Sequence, residues 1–413
     1  MSDKLEPPKR YNRERQVIEE PEKKSKNYVK TRNITKLKTS DLFTLGGMDI
    51  PFFALVIALV TIGLVMLFSA TYPYALQNYG DSYHFFKQQF FFVFAGVIVM
   101  LIVSKFDYRL LRRFMLPLLA VTLILLVVVL FYHAEVKDFK RWIKIPILHI
   151  TMQPSDIAKF TIVVVLADYI SKNYKRMNKM YDGFAKPLGI IAVFCGLIYL
   201  ERHNSGVILV FCIGAVLMFC GGSNWKLFAL GAGLLAAVVI FVIMNPDVMM
   251  QYAGKRIVAW LDKDYEPLGA RWQTNNSLYA IGSGNFFGVG LGNSKQKFLY
   301  VSEPQNDFIF SIVCEELGFV GAAVIILLYA LLFGRGLYIA MQSKDRFASL
   351  VVIGIVSQVA IQTIFNILVV TDTIPNTGIA LPFFSAGGTS MLMLLFEMGV
   401  VLSISRTTNQ RKV

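Results

Sequence analysis

Apolar runs of about 20 residues recur along most of this 413-residue chain. A run of that length crosses a bilayer core of about 30 Å as an α-helix, and a helix satisfies its own backbone polar groups in lipid. The composition agrees, because 55% of the residues are hydrophobic and only 16% are charged. The sequence therefore predicts an all-α polytopic membrane protein and argues against a soluble globular domain.

The lengths of the apolar runs predict about ten transmembrane helices, with a large structured extracytoplasmic loop between helices seven and eight. The predicted membrane domain, residues 48–405, is flanked by a disordered cytoplasmic tail, 1–47, and a short cytoplasmic tail, 406–413. The predicted spans are 50–70, 90–104, 114–132, 157–170, 188–200, 207–220, 227–245, 308–332, 348–370 and 379–403.

The distribution of Lys and Arg predicts the orientation of these spans. Cations concentrate in the N-terminal tail and in the loops after the second, fourth and eighth predicted spans. Cytoplasmic loops carry such an excess, so both termini are expected in the cytoplasm and the loop 246–306 outside the plasma membrane. The same rule explains the net charge of +14 without a nucleic-acid partner. The four cysteines lie in apolar runs without CxxC spacing, so neither disulfides nor a zinc site is expected.

Two predicted outer segments carry cations against this rule. In the short one, Arg141 and Trp142 stand side by side, which favours an anionic ligand there. In the long loop, Lys297 and its neighbours have two interpretations that stay open. They bind an anion, or they crossed the membrane because long loops translocate regardless of charge.

The stretch 272–318 is rich in Gly, Asn, Gln and Ser and interrupts the hydrocarbon pattern. Its segment 273–287 is too polar to span but has an apolar face, which predicts a helix lying at or dipping into the outer interface. Asp307 follows, where this polar loop becomes an apolar run. A carboxylate at the mouth of a span is costly to desolvate and marks a functional site. The alternative is that Asp307 caps the helix that starts there.

Several separated stretches resemble the SEDS family (shape, elongation, division, sporulation), which groups FtsW, RodA and their sporulation relative. The resemblance covers the chain from the first span onward and leaves out the tail. Its stretches are KRWIKIPILHITMQPSDIAKF at 140–160, LERHNSGV at 200–207, the loop from 273, NDFIFSIVCEELGFVG at 306–321 and IPNTGIALPFFSAGGTS at 374–390.

The resemblance implies a peptidoglycan glycosyltransferase that polymerises lipid II during cell division, beside a class B penicillin-binding protein and other divisome proteins. It places the family's catalytic carboxylate on Asp307. The chain departs from the family pattern at Asp156, Arg202 and Thr377, where Glu, Pro and, in some division members, Lys are expected. The residues predicted to bind substrate are Arg141, Trp142, Lys159, Gln153, Ser155, His203, Gln273, Ser277, Lys297 and Ser385, and those of structural motifs are Glu315, Glu316, Gly387 and Gly388.

The chemistry implied by the resemblance needs one base. The pyrophosphate on lipid II is already a good leaving group, so positioning, deprotonation of the acceptor hydroxyl and charge stabilisation remain. Asp307 suits the role of that base. Lys159 is the predicted ion-pair partner of Glu315 or Glu316. No metal ligand is predicted, but a Mg²⁺ or Mn²⁺ ion bridging the pyrophosphate stays open. Three alternatives are a lipid II flippase, a RodA-type elongation polymerase and a noncatalytic scaffold.

Overall fold

A computed structural model gives the architecture. It describes residues 46–132, 141–145, 150–231, 233, 251–266, 269, 271–298, 300–301 and 304–409. The predicted N-terminal tail and most of the predicted seventh span, 227–245, therefore lie outside the described residues. The α-helices are α1 Ile50–Tyr79, α2 His84–Val103, α3 Arg109–Arg113, α4 Met115–Phe131, α5 Pro154–Asn173, α6 Lys186–Leu200, α7 Asn204–Cys220, α8 Gln251–Leu261, α9 Trp272–Ser283, α10 Ile309–Gln342, α11 Arg346–Val370 and α12 Gly388–Asn409.

Six helices in the described part of the chain are long and apolar enough to cross a membrane, and two more, Met115–Phe131 and Asn204–Cys220, are shorter and apolar. The all-α membrane class is thereby confirmed.

Helix α1 shows how local sequence determines where a helix begins and ends. The Asp49 carboxylate accepts from the backbone N–H of Phe52 at 3.0 Å, and Gly80 ends the helix in the left-handed conformation. Arg335 on α10 pairs with the same carboxylate through two nitrogens, at 2.9 and 2.8 Å.

The predicted tenth span, 379–403, begins too early. Helix α12 starts only at Gly388, and the nine preceding predicted positions form an irregular segment. Pro382 has no N–H to donate to a helix. The N–H of Leu381 bonds to Ser385 Oγ at 2.9 Å, and that of Ala386 bonds to the Gln305 carbonyl at 2.7 Å. The apolar residues of this segment, such as the fully buried Phe384, pack against protein and do not indicate lipid contact.

Helix α10 is kinked at Gly318, where the backbone has φ 69°. The carbonyls of Glu315 and Glu316 accept from Val289 and Gly290, at 3.0 and 3.1 Å, in place of partners one turn further along the helix. Backbone N–H groups of an irregular loop thus replace the helical donors that these carbonyls lose at the kink. Such backbone survives at membrane depth only when protein encloses it.

A short antiparallel hairpin, β1 Ile143–Ile145 and β2 Ile150–Met152, precedes α5 and was not predicted. Thr389 at the start of α12 donates its hydroxyl to the Thr151 carbonyl at 3.1 Å. The hairpin therefore lies against one end of α12. The helix predicted within 273–287 is confirmed as α9, which packs on α10 and α11.

Candidate functional site

A cavity of about 460 Å³ opens beside the hairpin and the irregular segment before α12. We call it the cavity. It also borders the loop between α6 and α7 and extends between α11 and α12. Of the predicted site residues, its wall contains Arg141, Trp142, Gln153, Lys159, His203 and Asp307, together with Ser385, Gly387 and Gly388.

Asp307 lies in the turn just before α10, and the turn is fixed by its backbone. The N-cap position is Phe308, so the interpretation of Asp307 as the helix cap is not supported. The carbonyl of Asp307 accepts from Asn366 Nδ2 at 2.7 Å, and that of Asn306 accepts from Ser385 Oγ at 2.6 Å. These bonds orient the turn while Asp307 borders the cavity.

Gly378 lets the irregular segment pass close to the carboxylate. Its φ is 70°, and a Cβ added there would lie 3.7 Å from Asp307 Oδ2. A side chain would therefore strain the backbone and reach toward the carboxylate. The glycine keeps this flank of Asp307 accessible.

Lys159 brings a cation into the cavity wall and is paired locally. Its Nζ lies 2.9 Å from Asp156 Oδ1, one turn earlier on α5. Ser390 donates its hydroxyl to the other oxygen of Asp156. The predicted pairing of Lys159 with Glu315 or Glu316 is therefore wrong. Because Asp156 is on the same helical face, the closer carboxylate takes the cation.

Arg141 donates from Nη2 to the carbonyl of Arg202. Trp142 stands next to it in the same wall. Arg202 has φ 58°, which proline cannot adopt. The loop after α6 therefore has a backbone conformation that the family proline expected at this position would not allow.

His203 and its neighbours form a neutral part of the wall. His203 Nδ1 is 3.1 Å from Ser155 Oγ and 3.3 Å from Gln153 Nε2. Desolvation, with Arg141 and Lys159 nearby, lowers the pKa of His203 to about 3. The imidazole is thus neutral at physiological pH and acts as a hydrogen-bonding group. Ser155 is fully buried behind it and supports the ring.

The carboxylate of Glu201 is buried at the end of α6. Neither oxygen has a hydrogen-bond partner among the described residues. Burial raises its pKa to about 8, against a smaller opposing effect of Arg141. Glu201 therefore tends to hold a proton at neutral pH.

The turn formed by Ser385, Gly387 and Gly388 is fitted to helix α2. The N–H of Gly387 donates to Gln89 Oε1 at 3.2 Å, and Gln89 Nε2 donates to the carbonyl of Ser385 at 3.4 Å. A Cβ at Gly388 would lie 2.3 Å from the ring of Phe92. The two glycines thus allow close packing in the wall.

A second polar cluster lies outside the cavity wall. Lys297 Nζ pairs with Glu316 Oε1 at 2.8 Å, and both side chains have no solvent exposure. Ser69 on α1 donates to Glu316 Oε2 at 2.6 Å. Glu315 accepts from the N–H of Lys295 at 2.8 Å and from the hydroxyl of Ser294. We call the set Ser69, Ser294, Lys297, Glu315 and Glu316 the polar clamp, because it fastens the loop between α9 and α10 to α10.

Four residues predicted to bind substrate do not border the cavity, and Ser155, buried behind His203, is one of them. Lys297 is enclosed in the polar clamp, where its charge is already neutralised. Ser277 is fully buried and donates to the carbonyl of Val370 at 2.9 Å, joining α9 to α11. Gln273 accepts from Asn376 Nδ2 at 3.5 Å. Their polar atoms connect elements of the fold.

Several cavity residues were missed by the sequence prediction. Glu397 on α12 and Gln358 on α11 line the inner part of the cavity. A lone acid in the apolar run MLMLLFEMGVVL was a usable signal, since intramembrane carboxylates mark functional sites. Asn366 carried no such signal, because only the folded chain shows its two carbonyl partners. In the described ranges, no group of three or more His, Cys, Asp and Glu could hold a metal ion.

Fold and cavity together define a multi-pass α-helical membrane protein in which three carboxylates and two cations line one cavity. The model of the family FTSW_RODA_SPOVE, described as cell cycle protein, matches residues 50–410. The chain belongs to this family of FtsW, RodA and SpoVE proteins.

Curated relatives extend the match over nearly the whole domain. The probable peptidoglycan glycosyltransferase FtsW of Trichlorobacter lovleyi is 36% identical over 366 residues, 88% of this chain and 94% of the relative. Stage V sporulation protein E of Bacillus subtilis is 38% identical over 363 residues, 87% of this chain and 97% of the relative. The resemblance to the SEDS family is thereby confirmed.

Solved structures share the fold. A chain from a peptidoglycan synthase complex that coordinates polymerization and crosslinking aligns with a TM-score of 0.74 at 24% identity, covering 88% of this chain and 99% of that one. The rod shape determining protein RodA of Thermus thermophilus aligns with a TM-score of 0.65 at 24% identity, covering 87% and 97%.

Proposed function

We propose that this chain is a peptidoglycan glycosyltransferase that polymerises lipid II, with Asp307 as general base. The observation that carries the proposal is the placement of Asp307 in the wall of one polar cavity that also contains Arg141 and Lys159. Relatives named as FtsW glycosyltransferases support the activity. The division role follows the same relatives, with elongation and sporulation as the competing roles.

The proposed reaction joins two lipid-linked sugars in one displacement. The acceptor hydroxyl oxygen attacks the anomeric carbon of the donor, the bond from that carbon to the pyrophosphate oxygen breaks, and the carbon inverts. The hydroxyl proton passes to Asp307, and the lipid pyrophosphate leaves with the electron pair. Removing a proton in the transition state contributes about 10²–10⁴ in rate.

The cations of the wall suit the leaving group. Arg141 presents a planar guanidinium that matches phosphate oxygens, and Trp142 offers an apolar face beside it. Lys159 adds a second positive charge on α5, paired with Asp156. His203 is neutral and offers hydrogen bonding without repelling or attracting charge. We propose that Arg141 contacts the pyrophosphate directly and that a Mg²⁺ or Mn²⁺ ion, where present, arrives with it.

The proposed topology has ten spans, cytoplasmic tails at 1–47 and 406–413, and the loop between the seventh and eighth spans outside the cell membrane. Ser294 is buried in the polar clamp, so a labelling site must be its exposed neighbour Asn293. In a chain without its native cysteines, Asn293→Cys should react with an impermeant reagent in intact cells. Reaction only after lysis would reverse the topology.

Product analysis with purified chain and lipid II tests the function. Glycan polymer is the expected product, made alone or after addition of a class B penicillin-binding protein, which we propose as partner with other divisome proteins. Transfer of lipid II across a vesicle without polymer would establish a flippase. Binding of the penicillin-binding protein with neither activity would establish a scaffold.

A further inference from the structure

We infer that the inner end of the cavity binds a monovalent metal cation, of the class of Na⁺, between Glu397 and Gln358. Glu397 lies on α12, about 14 Å along the helix from Gly388 at the rise of an α-helix. Gln358 faces it from α11. Both side chains are buried and both line the cavity.

The hydrogen bond within this pair leaves one oxygen of each side chain without a donor. Gln358 Nε2 donates to Glu397 Oε2 at 2.9 Å. Glu397 Oε1 and Gln358 Oε1 have no hydrogen-bond partner among the described residues. A buried acceptor without a donor is costly, and a buried carboxylate without a counter-charge is costlier still. Two such oxygens on bonded neighbours call for a positive species between or beside them.

The cation on α5 does not fill this role. Lys159 forms its ion pair with Asp156, and among the described residues Glu397 has no ion pair with a Lys, Arg or His side chain. Glu397 therefore faces the inner cavity without an ion-pair partner among the described residues. The cavity reaches Glu397 from the region of Asp307, which gives a small ion a route.

The donor atoms select the class of cation. Carboxylate and amide oxygens are hard ligands that suit alkali and alkaline-earth ions, and neither sulfur nor imidazole is part of the pair. One carboxylate and one amide carbonyl carry a single negative charge. Divalent ions in proteins usually draw on more carboxylates, so a monovalent ion fits better.

A bound cation would also alter the field that a substrate meets. It would place a positive charge beside Glu397, so the inner end of the cavity would not repel a pyrophosphate bound near Arg141 and Lys159. This consequence rests on the proposed function. The binding itself does not, because it is measurable without lipid II.

The test uses the purified full-length chain in detergent. Binding of ²²Na⁺ and the thermal unfolding midpoint are measured in NaCl and in choline chloride at one ionic strength. We expect saturable binding of about one Na⁺ per chain and a midpoint that rises with Na⁺ but not with choline. Glu397→Gln should abolish both effects. Asp81→Asn, which removes a carboxylate from an exposed loop, should keep them.

A second variant keeps the inference testable if Glu397→Gln does not fold. Gln358→Met removes the amide oxygen and the bond that orients Glu397, so Na⁺ affinity should fall about tenfold or more. Unchanged Na⁺ binding in either folded variant would overturn the site. So would an infrared band of a protonated carboxylic acid that persists in Na⁺ and disappears in Glu397→Gln, because a proton would then occupy the place of the metal ion.

Discussion

The cavity and the polar clamp use the same kinds of side chain, but they differ in whether those side chains are enclosed by protein or border open space. In the clamp, Glu316 meets Lys297 and Ser69 within 2.8 Å, and the side chains of the ion pair have no contact with solvent. In the cavity, charged groups such as Arg141 and Asp307 border about 460 Å³ of open space. Charges that the protein encloses hold it together, whereas charges that border a cavity can be reached by a ligand. The comparison assigns stability to one region and chemistry to the other.

The largest expected effect on stability lies in the clamp. Lys297→Met leaves Glu316 buried without its cation and should lower the free energy of unfolding by about 3–5 kcal/mol. Chemical denaturation in detergent measures the loss. The double variant Lys297→Met with Glu316→Gln should recover part of it. A fully stable Lys297→Met protein would show that the clamp does not stabilise the fold.

Arg141→Ala should weaken lipid II binding while leaving the stability of the fold nearly unchanged. The loss of a charge-assisted hydrogen bond costs about 1.5–3 kcal/mol, so lipid II affinity should fall about 10–100-fold. The unfolding midpoint should change little, because Arg141 is only half-buried and its hydrogen bond to the Arg202 carbonyl ends at an exposed residue. Equal losses of stability and affinity would remove the distinction between the two regions.

Gly288 tests how closely the loop between α9 and α10 is fitted to the kink of α10. A Cβ there would lie 2.1 Å from the Glu316 carbonyl oxygen. Gly292 has a similar φ, 83° against 79°, with nothing within 4 Å of its added Cβ. Both Ala variants suffer the same backbone strain. Gly288→Ala should therefore be less stable than Gly292→Ala by about 1–3 kcal/mol, the cost of overpacking. Equal unfolding midpoints would contradict the fit.

A further effect concerns pH. The pKa of Glu201 is about 8 in the folded chain against 4.5 for the exposed group. The folded state holds a proton that the unfolded state releases, so stability declines as pH rises from about 4.5 to about 8. Glu201→Gln keeps the neutral shape and should show a smaller fall in unfolding midpoint between pH 5 and pH 8.5. An identical fall in both proteins would assign the pH dependence to other groups.

The sequence predicted the class of fold and nine residues of the cavity wall, because both follow from local patterns. Apolar run lengths indicate helices, and the family stretches placed Asp307, Arg141 and Lys159. The sequence did not predict the role of a charged residue where that role depends on which residue it contacts in the fold. Lys297 and Lys159 are both cations near carboxylates in the chain, and only the folded backbone shows that one is enclosed and the other borders the cavity. The tenth span was misplaced because buried apolar loops and lipid-facing helices share a composition.

Asp307→Asn tests the central claim most directly. Asparagine is nearly isosteric but cannot take up the proton of the acceptor hydroxyl. With purified protein that folds normally and still binds lipid II, the rate of glycan polymerisation should fall by about 10²–10⁴. A matched preparation of Asp262→Asn, a carboxylate in the exposed segment after α8, should polymerise at the rate of the unmodified chain. Polymerisation by the Asp307→Asn protein at near the unmodified rate would place the base elsewhere and contradict the account.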